Sequence, residues 1–313
     1  MVNRKMKRKA SISLREACRA WYRANERKAI RIHYEKVPQP LPIGASKIGG
    51  APDVPAGFAW PCTDVSDTLF PCKDMVEKLR VLAHFFHLAP KRGKKVPLLL
   101  PMTFMAQFDL TELATCDSAG LLPHAGHLAF FYHNPLAGGD GRGCVFYFPL
   151  DVTLQRIEPP EDCVERLPEQ KARFTEEASF PSVEQLPAEL YDEDFLDEMC
   201  NETDGEDTYK LLGWAHEIQG AMEAECQMRE MGLDWKDYKK PQHKAAIEAG
   251  AADWMLLLQL GTIWENTEDK NMNEKNKKCA LMFGDSGAIY YWIRRQDLAA
   301  CRFDRARLLW QCY

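Results

Sequence analysis

Ser286 sits in Gly284-Asp285-Ser286-Gly287, the tetrapeptide that surrounds the nucleophile in one class of serine proteases, with His84 and Asp109 upstream. Those residue types are what acyl transfer needs: a hydroxyl nucleophile, an imidazole base within hydrogen-bond reach, and a carboxylate that orients the base. The neighbouring sequence argues against that chemistry. Gly287 runs straight into Ala288-Ile289-Tyr290, the start of a strand pattern. His84 falls on the polar side of a helical pattern over 73–88, opposite Met75, Leu79, Leu82 and Phe86. No catalytic residues are therefore expected, and no serine protease.

A second constellation is better placed for binding than for catalysis. Lys47, Gly49 and Gly50 in "SKIGGAPDVP" offer a cation and close backbone N–H groups to an anion. Gln107 and Gln259, each near the end of a short apolar run, and Asp285 in the glycine turn could reach the same space. Structural roles compete with this. A buried glutamine can instead satisfy backbone groups of an irregular loop, and Lys47 or Asp285 can fix a loop through an ion pair. Histidines offer little for metal: His84 and His87 lack a third ligand, and His124, His127 and His133 do not converge by pattern. Neither a metal nor another cofactor is expected.

The elements that must position these residues look duplicated. "MTFMAQFDL" is followed after a turn-rich gap by "GHLAFFYH", and "WMLLLQLGT" after a polar insertion by "GAIYYWIR". In each pair an apolar strand carries one glutamine, and a glycine, Gly126 or Gly287, opens an aromatic strand of period-two alternation. Read this way, Gly284-Asp285-Ser286-Gly287 is a turn into a strand, and the first copy has no Asp-Ser pair before its glycine. Between the copies "GRGCVFYFPLDV" reads as a further strand. Residues 158–207 read as a strand or two and a short helix near 189–199, and 211–232 as a turn leading to an amphipathic helix carrying Ile218, Met222 and Cys226.

The loop 38–61 contains ten Pro or Gly, too many for a regular helix or a central strand, yet its apolar residues require burial. Ahead of it, residues 1–10 read as a basic lead. Ser13 with Glu16 forms a capping box that opens an amphipathic helix over 11–30, docked on the body through Trp21. The domain reading is a lead and helix over 1–37 and one domain over 38–313, with repeat halves at about 95–155 and 210–313.

Charge is distributed unevenly. The net charge is −6, but residues 1–40 hold twelve Lys/Arg against three Asp/Glu, and 158–207 hold eighteen acids. The acidic body would repel nucleic acid, so a nucleic-acid partner is not expected. An acidic face including Asp192, Glu193, Asp194, Asp197 and Glu198 suits a basic protein partner. No run approaches the roughly 20 apolar residues of a membrane helix, so no membrane partner is expected. Eleven cysteines without a CxxC pair, in a chain whose start reads as lacking an export signal, fit reduced thiols and a cytoplasmic location.

Taken together and in order, "SKIGGAPDVPAGFAWP", "FMAQFDLTEL", "GHLAFFY", "LLGWAHEIQG", "LLLQL" and "FGDSGAIYYWIRRQDL" resemble the YwqG-like family, bacterial domains of unknown function. The matching positions are Lys47 to Pro52, then Pro55, Gly57, Trp60 and Pro61, and finally Gly284, Asp285 and Gly287. The resemblance implies an α+β fold with two duplicated antiparallel β-sheet units and flanking helices. It implies no reaction; some members are associated with immunity against bacterial toxins. The expectation is a cytoplasmic, non-enzymatic binding protein, immunity-like, whose acidic face takes a basic partner such as a toxin. The alternative is an enzyme or receptor for a small anionic ligand at the Gly-Gly loop between the repeats.

Overall fold

The computed structural model describes residues 14–64, 99–133, 141–163, 165–191, 209–265 and 278–313. The expected 73–88 helix with His84 and His87, and the acidic residues Asp192, Glu193, Asp194, Asp197 and Glu198, lie outside the described residues. The strands of the first part are β1 (Arg27–Lys36), β2 (Lys47–Ile48), β3 (Asp53–Pro55), β4 (Cys62–Asp64), β5 (Leu99–Pro101), β6 (Thr103–Asp109), β7 (His127–His133) and β8 (Arg142–Phe148). Those that follow are β9 (Leu154–Arg156), β10 (Gln170–Ser179), β11 (Tyr209–Leu212), β12 (Trp254–Leu260), β13 (Ile263–Glu265), β14 (Lys278–Leu281), β15 (Ala288–Arg294) and β16 (Arg307–Gln311). Helices are α1 (14–24), α2 (Leu110–Ala114), α3 (Glu223–Glu230), α4 (Trp235–Tyr238), α5 (Pro241–Ala251) and α6 (Arg295–Ala299).

Ten strands form one antiparallel sheet in the order β16-β15-β12-β11-β1-β10-β2-β6-β7-β8, which with the helices makes a mixed α+β fold. Alternation divides its side chains between two faces. One face buries Ile30, Ile48, Phe108, Phe130, Leu211, Leu257 and Tyr291 in a shared core. The outer face is covered separately on each side. Val54, Phe104, Ala129, Phe131 and Phe148 lie under the loop that follows β2; Met222, Cys226, Trp254, Leu256, Tyr290 and Trp292 lie under the segment that carries α3. Coverage on both faces explains why "WMLLLQL" is apolar almost throughout: every residue of β12 is buried.

The sheet curls so that its two ends meet. Tyr291 Oη donates to the Phe131 carbonyl at 2.9 Å, and the Phe130 and Tyr291 rings stand 5.2 Å apart. Gly143 makes the approach feasible, because a Cβ there would come within 2.5 Å of Leu308 and 2.8 Å of Tyr291.

Outward from the central β1–β10 pair, β2-β6-β7-β8 and β11-β12-β15-β16 run in the same chain order. Lys47 faces Gln107 across β2–β6, and Lys210 faces Gln259 across β11–β12. One residue bulges out of each next pairing, Met105 between Phe104 and Ala106 and Leu257 between Leu256 and Leu258. At the end of the inner strand comes a pair of left-handed residues: Gly49 and Gly50 at φ 68° and 75°, Leu212 and Gly213 at 61° and 71°.

Three local expectations change. The first helix stops at residue 24 rather than 30. Ile30, Ile32 and Tyr34 alternate inward from a strand, β1, which is inserted at the centre of the sheet. That helix docks chiefly through Cys18 and Tyr22 against Leu186, with Trp21 only partly buried. In 211–232, Leu211 and Leu212 belong to β11, and the helix carrying buried Cys226 and Met228 begins only at Glu223.

Candidate functional site

The most heavily charged cluster among the buried residues of the first half begins at Lys47. Its neighbour Ile48 points into the core, so the pleat sends the lysine side chain outward, beneath the loop 38–61. That loop covers it completely: Lys47 is 0% exposed. Its Nζ lies 3.1 Å from Glu169 Oε2 and 3.4 Å from Asp53 Oδ2. Arg156, on β9 beside β3, completes the cluster. Its Nε donates to Asp53 Oδ1 at 2.8 Å, and its Nη2 donates to Asp53 Oδ2 at 3.1 Å and to the Pro42 carbonyl at 3.3 Å.

Neutral groups occupy the remaining capacity. Gly44 N–H donates to Asp53 Oδ2 at 2.9 Å, and Leu41 N–H to Glu169 Oε1 at 2.9 Å. Gln107 Nε2 donates to Asp53 Oδ2 at 2.8 Å and to the Ala45 carbonyl at 2.9 Å, while its Oε1 accepts from Asp53 N–H at 2.8 Å. Two cations and two carboxylates are thus balanced and bonded, the condition under which buried charge is tolerated. Burial alone would raise the Asp53 pKa, but Arg156, Gly44 N–H, Lys47 and Gln107 outweigh it and hold the carboxyl below its usual value. For Lys47 burial wins over Asp53 and Glu169, and its pKa is lowered.

The two glycines serve the same closure. Gly49 N–H donates to the Met105 carbonyl at 2.8 Å and Gly50 N–H to the Leu167 carbonyl at 2.9 Å. A Cβ on Gly49 would stand 2.3 Å from the Pro168 carbonyl oxygen. These donors are therefore already engaged in backbone pairing.

In the second half, Lys210 is buried on β11 and Gln259 Oε1 accepts from His216 N–H at 2.9 Å. His216 lies six residues past its lysine, as Asp53 does in the first half. The covering loop is further held by amides: Gln311 Oε1 accepts from Ile218 and Gln219 N–H at 2.9 and 3.0 Å, and its Nε2 donates to the Gly220 carbonyl at 2.8 Å. Tyr290 Oη donates to the His216 carbonyl at 2.7 Å.

Of the six residues proposed for ligand binding, the structure brings together Lys47, Gly49, Gly50 and Gln107. Gln259 lies in the equivalent place of the other half. Asp285 is exposed on the turn before β15, with its carbonyl accepting from Tyr313 N–H at 3.1 Å. The turn is closed by Gly287 N–H on the Phe283 carbonyl at 2.8 Å, and Ser286 adopts φ 51° within it. Asp109 caps α2, its side chain accepting from Thr111 N–H at 2.8 Å. Among the described residues no group of three or more His, Cys, Asp or Glu is placed to hold a metal ion.

Sequence reasoning missed Asp53, Glu169, Arg156 and Lys210. Asp53 stands within the quoted "APDVP", and Lys210 faces Gln259 as Lys47 faces Gln107; Glu169 is one acid among many, and nothing local marks Arg156. A family model described as a domain of unknown function matches residues 46–312. No curated protein matches the chain.

Proposed function

The chain belongs to the family of the domain of unknown function DUF1963, and we propose that it acts within that family as a non-enzymatic binding protein built from two copies of one sheet unit. The duplication rests on the matched chain order, the two bulges, the lysine–glutamine pairs and the paired left-handed residues. The observation carrying the non-enzymatic reading is the mutual neutralisation of Lys47, Asp53, Arg156 and Glu169. A catalytic base or nucleophile needs a lone pair or proton free for substrate, and each group here is engaged in holding the loop.

The partner we propose is a basic protein, a toxin in an immunity-like pairing, attracted by the acidic stretch 158–207 in the cytoplasm. Opposite charge speeds encounter and weakens with salt, which gives the pairing a signature. Co-expression with the product of the adjacent gene, followed by co-purification at low and high salt, tests this. Expected is a complex lost when Asp192, Glu193, Asp194, Asp197 and Glu198 are changed together to lysine. A complex indifferent to both salt and that change, or no complex at all, overturns the proposal.

A further inference from the structure

Met102, Cys144 and His133 lie together on the outer face of the first half. Cys144 faces Phe131 across β7–β8 and packs with it and Phe146 under the covering loop. Its Sγ donates to Met102 Sδ at 3.6 Å, so the two side chains reach toward each other across β7. Thr103 faces Tyr132 across β6–β7, which sets Met102 beside His133 in the next row. Alternation along β7 puts His133 on the same face as Phe131. His133 is only 8% exposed, yet neither ring nitrogen makes a hydrogen bond among the described residues. Arg142, opposite it on β8, turns elsewhere, donating to Thr63 Oγ1 at 3.3 Å and to the Asp64 carbonyl at 3.2 Å.

The second half shows where side chains at these three positions meet. Aligned on Gln107 and Gln259 and on Gly126 and Gly287, the counterparts of Met102, Cys144 and His133 are Trp254, Arg307 and Arg294. Trp254 faces Arg294 across β12–β15, and Arg307 faces Trp292, the counterpart of Phe131, across β15–β16. These three converge. Arg294 Cζ stands 5.9 Å from the Trp254 ring centroid. One carboxylate, Glu230, lies 3.5 Å from Arg294 Nη2 and 2.6 Å from Arg307 Nη2. Where that half gathers two cations on an anion, the first half presents an imidazole, a thiol and a thioether. A buried imidazole without a hydrogen-bond partner has lost water that nothing in the fold replaces. A metal ion is the partner such a nitrogen takes.

We propose that Met102, Cys144 and His133 hold one soft metal ion, copper(I), through a thioether sulfur, a thiolate sulfur and an imidazole nitrogen. At metal–sulfur distances of about 2.3 Å, one ion can touch two sulfurs 3.6 Å apart. Thiolate and thioether donors select copper(I), whereas zinc takes thiolate, imidazole and carboxylate. Burial keeps the free thiol protonated, its pKa pushed up to about 12, so the ion displaces that proton to solvent as it binds. A monovalent cation and one thiolate then make a neutral unit, which suits the aromatic surroundings and the neighbouring Arg142. Histidine spacing alone conceals the set, because its sulfur donors come from β8 and from the residue before β6. The site is separate from the Lys47 cluster and stands independently of the binding reading above.

Anaerobic titration of the full chain with copper(I), in competition with the chelator bicinchoninate, tests the assignment, with zinc(II) titrated in parallel. Met102→Leu conserves volume and keeps the fold while removing the thioether. Cys144→Ala and His133→Gln remove the other two donors. Expected is a single tight equivalent of copper(I), lost in Cys144→Ala and weakened about tenfold or more by Met102→Leu and by His133→Gln. Zinc should bind more weakly by at least about a hundredfold. Absence of a tight equivalent, an equivalent retained in Cys144→Ala, an affinity unchanged in Met102→Leu or His133→Gln, or zinc held as tightly as copper overturns the proposal.

Discussion

Lys47 and Lys210 occupy the same place in their halves of the sheet, each buried and each opposite a glutamine on the next strand. Six residues further on, one half has Asp53 and the other His216. That exchange changes how each outer loop is held. Around Asp53 gather Arg156, Lys47, Gln107 and the Gly44 N–H, so charges close the first loop. In the second half Gln259 holds the His216 N–H, Tyr290 Oη the His216 carbonyl, and Gln311 three groups of the loop. The lysine–glutamine pair, the bulge and the left-handed pair recur in both halves, which identifies them as what the sheet geometry requires. The sharpest difference between the two halves is Asp53, held by Arg156, against His216, held by Gln259.

The contrast can be broken most sharply at Asp53. Asp53→Asn keeps the shape and removes the charge, leaving Lys47 and Arg156 short of a counter-ion. A loss of about 3–5 kcal/mol in chemical denaturation is expected, as for one partner removed from a buried pair. Gln259→Ala, which removes the acceptor of the His216 N–H, should cost only about 1–3 kcal/mol.

Acid should distinguish the halves next. Burial, helped by Arg142, lowers the His133 pKa to about 4, whereas the matching position of the second half is Arg294. The unfolded chain takes up this proton first, near pH 6.5, so stability falls as pH drops from about 6.5 to 4, by up to about 3 kcal/mol. Below that window the loss of Asp53 ionisation adds to it, because its depressed pKa contributes stability only while the carboxylate is charged. Unfolding midpoints measured across this range should lose the upper part of the dependence in His133→Gln.

The smallest contrast concerns the left-handed pair. Gly49→Ala places a Cβ against the Pro168 carbonyl at an unfavourable φ and should cost at least about 2 kcal/mol. Leu212→Gly at the matching site relieves about 1–2 kcal/mol of backbone strain but removes a buried side chain worth about 2–5 kcal/mol. Thermal melts should therefore show Gly49→Ala clearly destabilised, and Leu212→Gly with a net loss of about 1–3 kcal/mol.

The strands β6, β7, β12 and β15 were legible because Gln107, Gly126, Gln259 and Gly287 punctuate long alternating runs. The turn at 284–287 was legible as a turn for the same reason. Of the central pair, β1 was not, and β10 only as one of a strand or two within 158–207. β1 follows an amphipathic helix with only Asn25 and Glu26 between, and its charged outward residues continue the helix's basic character. β10 lies inside an acidic stretch whose net charge masks the alternation of Ala172 and Phe174. The charged cluster was half legible: Lys47 and Gln107 stand in recognisable motifs, while Arg156 and Glu169 are brought in from more than a hundred residues away by the pairing of β3 with β9 and of β2 with β10. Long-range partners of that kind leave no local periodicity to read.

The central claim is that Lys47 holds the first half together rather than waiting for a ligand. Urea denaturation of Lys47→Met, Asp53→Asn and the double variant tests it most directly. The account predicts a loss of about 3–5 kcal/mol for each single change and, for the double variant, a loss well below their sum, because the two charges depend on each other. A Lys47→Met protein as stable as the unaltered chain, or more stable, would contradict it, since a residue kept at the expense of stability is one kept for function.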